Sequence, residues 1–415
     1  MKIAIFGNQT LKETLSTILL LLVAGLLLFF RNPLIFLHPE PWVEDMLIFL
    51  PHEYMFGFPE TAFFLYQGYI HLLPRIIACI SMKFDPLNVM IVMNLTVLLF
   101  KVMICYLIYR SKEISSVLIK ISLIAYLILV PFCDEIYNNV TDLQWWLILL
   151  MALIIIKRET NAFVFMFDIY LLILAGLTGI NSILFAVPCA YLAFRAADRD
   201  IKIKSVIVIV CGCIQLCCLL STPRVGKIMY NGGGLDIIHM FVNRIIYHTL
   251  FNFDSKNYIN ILVFFLYISA LIFNLYYYRK QLTVHFIFLF SAIYTVAIFY
   301  NLMRQQFGPF SNDIQGFGSE RYFVFLRICS FILLISTLSI IFKSLLSPKN
   351  FRMLRAYLFL ILGLVLLAHY HINDYYTANY YADIQKFKAA KTGEIVKIHY
   401  APTWLNGASI DLMKK

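Results

Sequence analysis

Charge is what this sequence has least of: 14% of its 415 residues are Asp, Glu, Lys or Arg, against 61% hydrophobic. A water-soluble core cannot absorb that much apolar surface, so lipid is the solvent for most of the chain. The apolar runs lack period-two alternation, which excludes a β-barrel and leaves helices as the spanning elements. Cysteine is scarce outside those runs. Cys211, Cys213, Cys217 and Cys218 crowd one run, where they read as small packing residues, and Cys133 stands in a loop. No disulfide framework follows. There is no internal repeat and no low-complexity linker. "YNGGGLD" (230–236) lacks the Lys-Ser/Thr of a phosphate loop and reads as a turn. His369 and His371 have no further ligand beside them, so no metal and no other cofactor is expected.

What is there is a series of long apolar runs: 14–30, 87–109, 114–130, 140–156, 162–178, 181–194, 204–220, 258–277, 282–300, 322–341 and 355–369. At roughly 20 residues per crossing they predict an all-α polytopic membrane protein of about 11 transmembrane helices. The first run has a basic start, Lys2 and Lys12, like a secretion signal. It is longer than a usual signal core and no small-x-small site precedes Arg31, so a retained span is expected. The pair 162–178 and 181–194 is short for two crossings. Lys157 and Arg158 precede it, and Arg195, Arg199, Lys202 and Lys204 follow, so a hairpin returning to one side suits the charges.

The same bias sets orientation. With the N-terminus inside, every inside loop holds at least two Lys or Arg, whereas 131–142 holds none and carries Asp134, Glu135 and Asp142. That predicts a cytoplasmic N-terminus and a C-terminus on the opposite, outer face. The net charge of +11 is mostly this topogenic signal and does not point to nucleic acid. Lys101 and Lys120 lie within runs and are expected to snorkel toward the cytoplasm. The elaborated segments (31–86, 131–142, 176–182, 221–257, 301–321 and the tail) then all face outward, and chemistry belongs there. The division expected is a membrane domain, 1–369, with its catalytic loop at 31–86, plus a small outer tail, 370–415.

The stretch "PWVEDMLIFL" (41–50) places Glu44 and Asp45 just beyond the first run, between apolar flanks. A carboxylate held at a lipid boundary is costly unless it is paired or used. One reading is a loop whose acids pair with Arg75 or Lys83. The other is a general base, and because adjacent helical residues point about 100° apart, one of the two would face a substrate. The shorter side chain of Asp45 loses less rotamer freedom when fixed, which favours it.

"WVEDMLIFL" (42–50), followed by "GYIHLLPRI" (68–76), resembles the outer loop of bacterial membrane glycosyltransferases of the GT-C superfamily, in which an acidic pair follows the first span. "NNVTDLQWW" (138–146), "GLTGINSILFAVP" (176–188) and "GSERYFVFL" (318–326) extend the resemblance in the same order, over about a quarter of the chain. The chain is most similar to serotype-converting O-antigen glucosyltransferases of the Gtr type. It departs from that pattern at Met46, where many relatives have Gly, and at Ile180, where Pro is frequent. The resemblance implies a GT-C-like fold, an O-antigen or other lipid-linked surface glycan as acceptor, a hexose such as glucose as the sugar, and the Glu44–Asp45 pair as catalytic residues.

Physical logic adds the donor. Nucleotide sugars are absent outside the cytoplasm, so the sugar must arrive on a lipid such as polyprenyl phosphate. A donor-sugar flippase and a carrier synthase would supply it. Transfer needs a carboxylate to take the acceptor proton and cations to steady the departing phosphate. Arg321 begins a run on the outer face and is a phosphate candidate, with an interface anchor as its alternative. Glu320 and Tyr322 flank it and are counted with the substrate contacts. Arg75 has the same choice between phosphate and a pairing partner. His71 shares its helical face if Pro74 only kinks the helix, and would touch sugar or phosphate. Asn139, Asp142 and Trp145 would bond and stack on a sugar, unless Trp145 and Trp146 form an ordinary aromatic belt. Asp168 lies toward the cytoplasmic half, where Lys101 or Lys120 would neutralise it, and is left out of the site.

The tail is rich in Tyr, and "GEIVKIHYAPTW" (393–404) predicts a short strand running into a turn. Forty-odd residues bury little core alone, so the tail is expected to pack on the other outer segments. Two alternative functions stay open. An O-antigen polymerase would rely on an Arg-bearing outer loop, and 221–257 carries Arg224, Lys227 and Arg244. A lipid-linked oligosaccharide flippase would line its spans with charge.

Overall fold

The computed structural model describes residues 2–114, 116–131, 136–158, 161–222, 234–251, 258–304, 320–345, 363–364, 367, 379–400 and 409–415. Cys133, Asp134, Glu135, Arg224, Lys227, His369, His371 and most of the predicted run 355–369 lie outside them.

Each of the other predicted runs is a helix. The chain starts with α1 (Lys2–Arg31) and a short α2 (Leu34–Leu37). A π-turn over Asp45–Phe49 runs into α3 (Leu50–Phe56), and α4 (Leu72–Ser81) closes the segment 31–86. Then come α5 (Val89–Arg110), α6 (Val117–Leu129), α7 (Leu143–Ile156), α8 (Ala162–Gly176), α9 (Asn181–Arg195) and α10 (Arg199–Ser221). After α11 (Gly234–Phe241) follow α12 (Ile259–Tyr277), α13 (Leu282–Arg304) and α14 (Val324–Leu345). Among the described residues, six helices are long and apolar enough to cross a membrane: Thr14–Arg31, Pro86–Arg110, Arg199–Ser221, Ile259–Tyr277, Leu282–Tyr300 and Glu320–Ser344. Helices α6 to α9 have 13 to 15 residues and fall short of that length. The chain is a mostly helical protein with the character of a membrane protein.

Local chemistry explains the helix ends. Asn161 caps α8 by accepting from Phe163 N at 2.8 Å, and Asp198 caps α10 by accepting from Asp200 N at 2.9 Å. Helix α7 is apolar all round and is buried throughout except at Leu153, so it forms the middle of the bundle. Helices α9 and α10 touch backbone to backbone: a Cβ on Gly212 would stand 2.6 Å from the Ser182 carbonyl oxygen.

Polar contacts sort the bundle into two ends. At one, Ser16 Oγ meets Tyr109 Oη at 3.3 Å, and Lys120 Nζ donates to Tyr109 O at 2.8 Å. At the same end Asp168 is clamped between Lys204 at 2.6 Å and Lys157 at 3.1 Å. These partners replace the expected Lys101 and Lys120, because the α7–α8 turn and the start of α10 converge on Asp168. Lys101 does not snorkel. It is fully buried, with Nζ 4.0 Å from the Tyr137 ring centre and 4.6 Å from that of Trp146. The electron-rich ring faces hold the ammonium in the interior.

The other end gathers the elaborated segments. Residues 65–70 form a hairpin, β1 (Leu65–Tyr66) and β2 (Tyr69–Ile70). Its turn residues Gln67 and Gly68 have φ of 53° and 85°, the two-residue geometry that matches strand twist. Gln215 of α10 clamps β2 by accepting from Ile70 N at 2.9 Å and donating to Ile70 O at 3.0 Å. The turn after α8 adds Gly179 N to Ile70 O at 3.0 Å, and Leu72 N donates to Leu177 O at 3.0 Å. Replacing Gln215 with Leu would strand the Ile70 N–H, while the Ile70 carbonyl keeps its bond from Gly179 N. It should cost about 1–3 kcal/mol, read as a lowered thermal midpoint in detergent.

The tail packs at this end too. It consists of α15 (Tyr380–Ala389) and the antiparallel pair β3 (Ile395–His399) and β4 (Ser409–Met413), so the expected strand is present. Lys388 pairs with Asp85 at 2.7 Å, Phe387 packs edge-on against Tyr54, and Lys415 Nζ donates to Tyr54 O at 2.9 Å. The two ends of the chain therefore lie at opposite ends of the bundle.

Candidate active site

The start of α7 builds one side of the site. Asn139 Oδ1 accepts from Asp142 N at 2.7 Å, and Asp142 Oδ2 accepts from Asn139 Nδ2 at 3.0 Å. Asp142 Oδ1 accepts from Trp145 Nε1 at 3.1 Å. This reciprocal pattern satisfies the first turn of the helix and fixes the carboxylate and the indole together. Burial pushes the Asp142 carboxyl up, and the nearby Arg321 guanidinium opposes that shift. Arg321 Nη1 lies 3.7 Å from Asp142 Oδ1, and its guanidinium sits 5.3 Å from the Tyr322 ring centre. The Tyr322 ring stands edge-on to Trp145 at 5.0 Å.

Glu44 and Asp45 have separate surroundings. Asp45 is fully buried: its Oδ1 accepts from Thr141 N at 3.0 Å and bonds Thr141 Oγ1 at 2.6 Å. It ties the π-turn to the loop before α7, and no face of it is open to a substrate. Glu44 is half-buried: the Trp42 side chain hydrogen-bonds its carboxyl, and its Oε2, itself buried, finds no hydrogen-bond partner among the described residues. Burial raises its carboxyl, the Asp142 charge raises it further, and Arg321 pulls it back. The geometry thus favours Glu44 over Asp45, the reverse of the rotamer argument. The contacts outweigh the entropy because Asp45 is fixed by partners a substrate would have to displace.

Burial pushes the Asp45 carboxyl up to about 7, with the Thr141 hydrogen bond opposing. Folded Asp45 holds its proton more tightly than the unfolded chain does. The stability it contributes is full below pH 3.8 and is lost as pH rises through about 7. The thermal midpoint in detergent should fall over that window, and Asp45→Asn should flatten the fall.

Three further candidates are placed elsewhere. Arg75 is 1% exposed: Nη2 donates to Phe64 O at 3.1 Å, and the guanidinium lies between the Phe49 and Phe64 rings at 5.4 and 5.6 Å. Burial lowers it to about 10, and Glu53 works against that. Arg75 braces the segment 31–86 and is not grouped with Glu44. His71 is fully buried among Tyr69, Tyr66 and Phe49, and burial, then Arg75, push it down to about 3. It is a neutral packing group. Glu320 has both oxygens engaged, by Arg244 and by Arg327, and Arg327 Nε in turn donates to Arg244 O at 2.8 Å. This buried network pins the 320–323 turn that presents Arg321 and Tyr322.

The structure therefore brings together Glu44, Asp142, Asn139, Trp145, Arg321 and Tyr322, from three segments far apart in sequence. It adds Tyr66, whose phenol feels the charges of Glu44, Arg321 and Asp142. Its signal was the "YQGY" turn between two aromatic residues. Among the described residues, no group of three or more His, Cys, Asp or Glu is placed to hold a metal ion. No protein-family model matches the chain, and no curated protein matches it significantly.

Proposed function

We propose that this protein is a GT-C-like glycosyltransferase of the bacterial inner membrane. It moves a hexose, glucose by resemblance, from a polyprenyl-phosphate donor to a lipid-linked O-antigen or related glycan. The site lies on the periplasmic face, with the N-terminus in the cytoplasm and about eleven crossings, to which α6–α9 contribute. The observation that carries this reading is Glu44: a half-buried carboxylate with an unpartnered oxygen, beside Asp142, Arg321 and an aromatic pair.

In this reading the acceptor hydroxyl oxygen attacks the anomeric carbon while Glu44 takes the hydroxyl proton. The bond from the anomeric carbon to the phosphate oxygen breaks, and polyprenyl phosphate leaves with the electron pair. Raising a carboxyl toward the working pH makes it a better proton acceptor. The Arg321 fork meets the phosphate charge, and Trp145 and Tyr322 offer stacking surface to the sugar. Arg244, the Arg of 221–257 that the structure describes, is engaged by Glu320, which favours the transferase over the polymerase.

The test is the surface glycan of cells carrying the wild-type chain or Glu44→Gln. Mass spectrometry should show an added hexose with the wild type and none with the variant. A glycan the wild type leaves unchanged would count against the proposal.

A further inference from the structure

Tyr66 stands on a stiff arm. The hairpin turn has both central residues at positive φ, Gly68 is packed against Thr222, and Gln215 holds Ile70 from both sides. Neighbouring strand residues point to opposite faces. Leu65 is 41% exposed, while the half-buried Tyr66 ring meets Phe49 at 6.3 Å and His71 at 5.6 Å. Phe49 ends the π-turn that Asp45 begins, so the ring lies against the element that carries the acidic pair. The phenol oxygen accepts from Gln67 Nε2 at 3.1 Å, which leaves its own proton to donate.

We propose that Tyr66 is a further substrate-binding residue of the Glu44 site: its phenol donates to a hydroxyl of the transferred sugar, and its ring covers the sugar's apolar face. This rests on the glycosyltransferase reading above. Placed on an element separate from Trp145 and Tyr322, it gives the sugar a second aromatic contact. A rigid strand suits that task better than a loose loop, because a sugar must be held in one orientation for in-line attack.

The test uses the full chain in liposomes, with a hexosyl-phosphoryl polyprenol as donor and a lipid-linked glycan as acceptor. Tyr66→Phe keeps the ring and loses one neutral hydrogen bond, so the donor KM should rise about threefold to tenfold with kcat little changed. Tyr66→Ala should raise it further. Leu65→Ala, at the exposed neighbouring position of the same hairpin, should behave as wild type and controls for the hairpin's fold. Transfer by the wild type with unaltered kinetics in both Tyr66 variants overturns this inference alone. No transfer by the wild type from any polyprenyl-phosphate sugar overturns the functional reading and this inference with it.

Discussion

Replacing Glu44 with Gln should lower the rate of sugar transfer by about two to four orders of magnitude, the usual cost of losing a general base. Glutamine keeps the size and removes the proton acceptor. Glu44 is half-buried and one of its oxygens has no partner among the described residues, so the fold loses little by the change. Removing its charge also relieves Asp45 and Asp142 of a neighbour that raises or is raised by them, so stability should hold or improve. Activity and thermal midpoint therefore part company in this variant. In Asp45→Asn they should move together, since Asp45 acts through the Thr141 contacts. Rate measurements with both purified variants, checked against their unfolding curves, separate the two acids. Equal transfer rates for Glu44→Gln and wild type would remove Glu44 from the chemistry.

The second large effect is expected at Arg321. Its guanidinium is 3.7 Å from Asp142 and its side chain is 22% exposed, so part of the fork is within reach of a ligand. Hydrogen bonds to charged groups contribute about 1.5–3 kcal/mol, so Arg321→Gln should cost roughly tenfold to a hundredfold in kcat/KM for the lipid donor. Arg321→Lys should fall between, because it keeps the charge and loses the planar fork. The Gln variant carries a second signature. Arg321 also holds the Glu44 carboxyl down, so without it Glu44 shifts further upward and the acid limb of the pH–rate profile, which reports the base, moves toward higher pH. A Gln variant with wild-type donor KM and an unmoved pH profile would leave Arg321 as an interface anchor.

Much of the helical frame was legible because continuous apolar runs leave a chain few choices in lipid. The short helices were not: α7, at 14 residues, reads as a span by composition, yet its near-total burial is set by the helices around it. The site was legible where cost made it so. An acid between Trp42 and Leu47 must be used or paired, and Asn139, Asp142 and Trp145 stand three residues apart in turn, the spacing of reciprocal contacts at a helix start. Which acid was open was not legible, since Asp45 is satisfied by Thr141, 96 residues away. Arg75 and Glu320 misled for the same reason. Each looks available in sequence, and each is consumed by groups the fold brings from elsewhere: the Phe64 carbonyl and two rings for Arg75, two arginines for Glu320. Asp168 shows the limit in reverse. Its need for a cation followed from its position in a run, but the choice of Lys157 and Lys204 depended on how α8 and α10 pack.

The most direct measurement supplies each donor separately to purified protein in liposomes that contain a lipid-linked glycan. Hexose carried on polyprenyl phosphate should be transferred to the acceptor by the wild type and not by Glu44→Gln. UDP- or GDP-hexose, with no lipid carrier present, should give no product. Transfer from the nucleotide sugar alone would contradict both the lipid donor and the placement of the reaction at the end of the bundle where Glu44 and Arg321 meet.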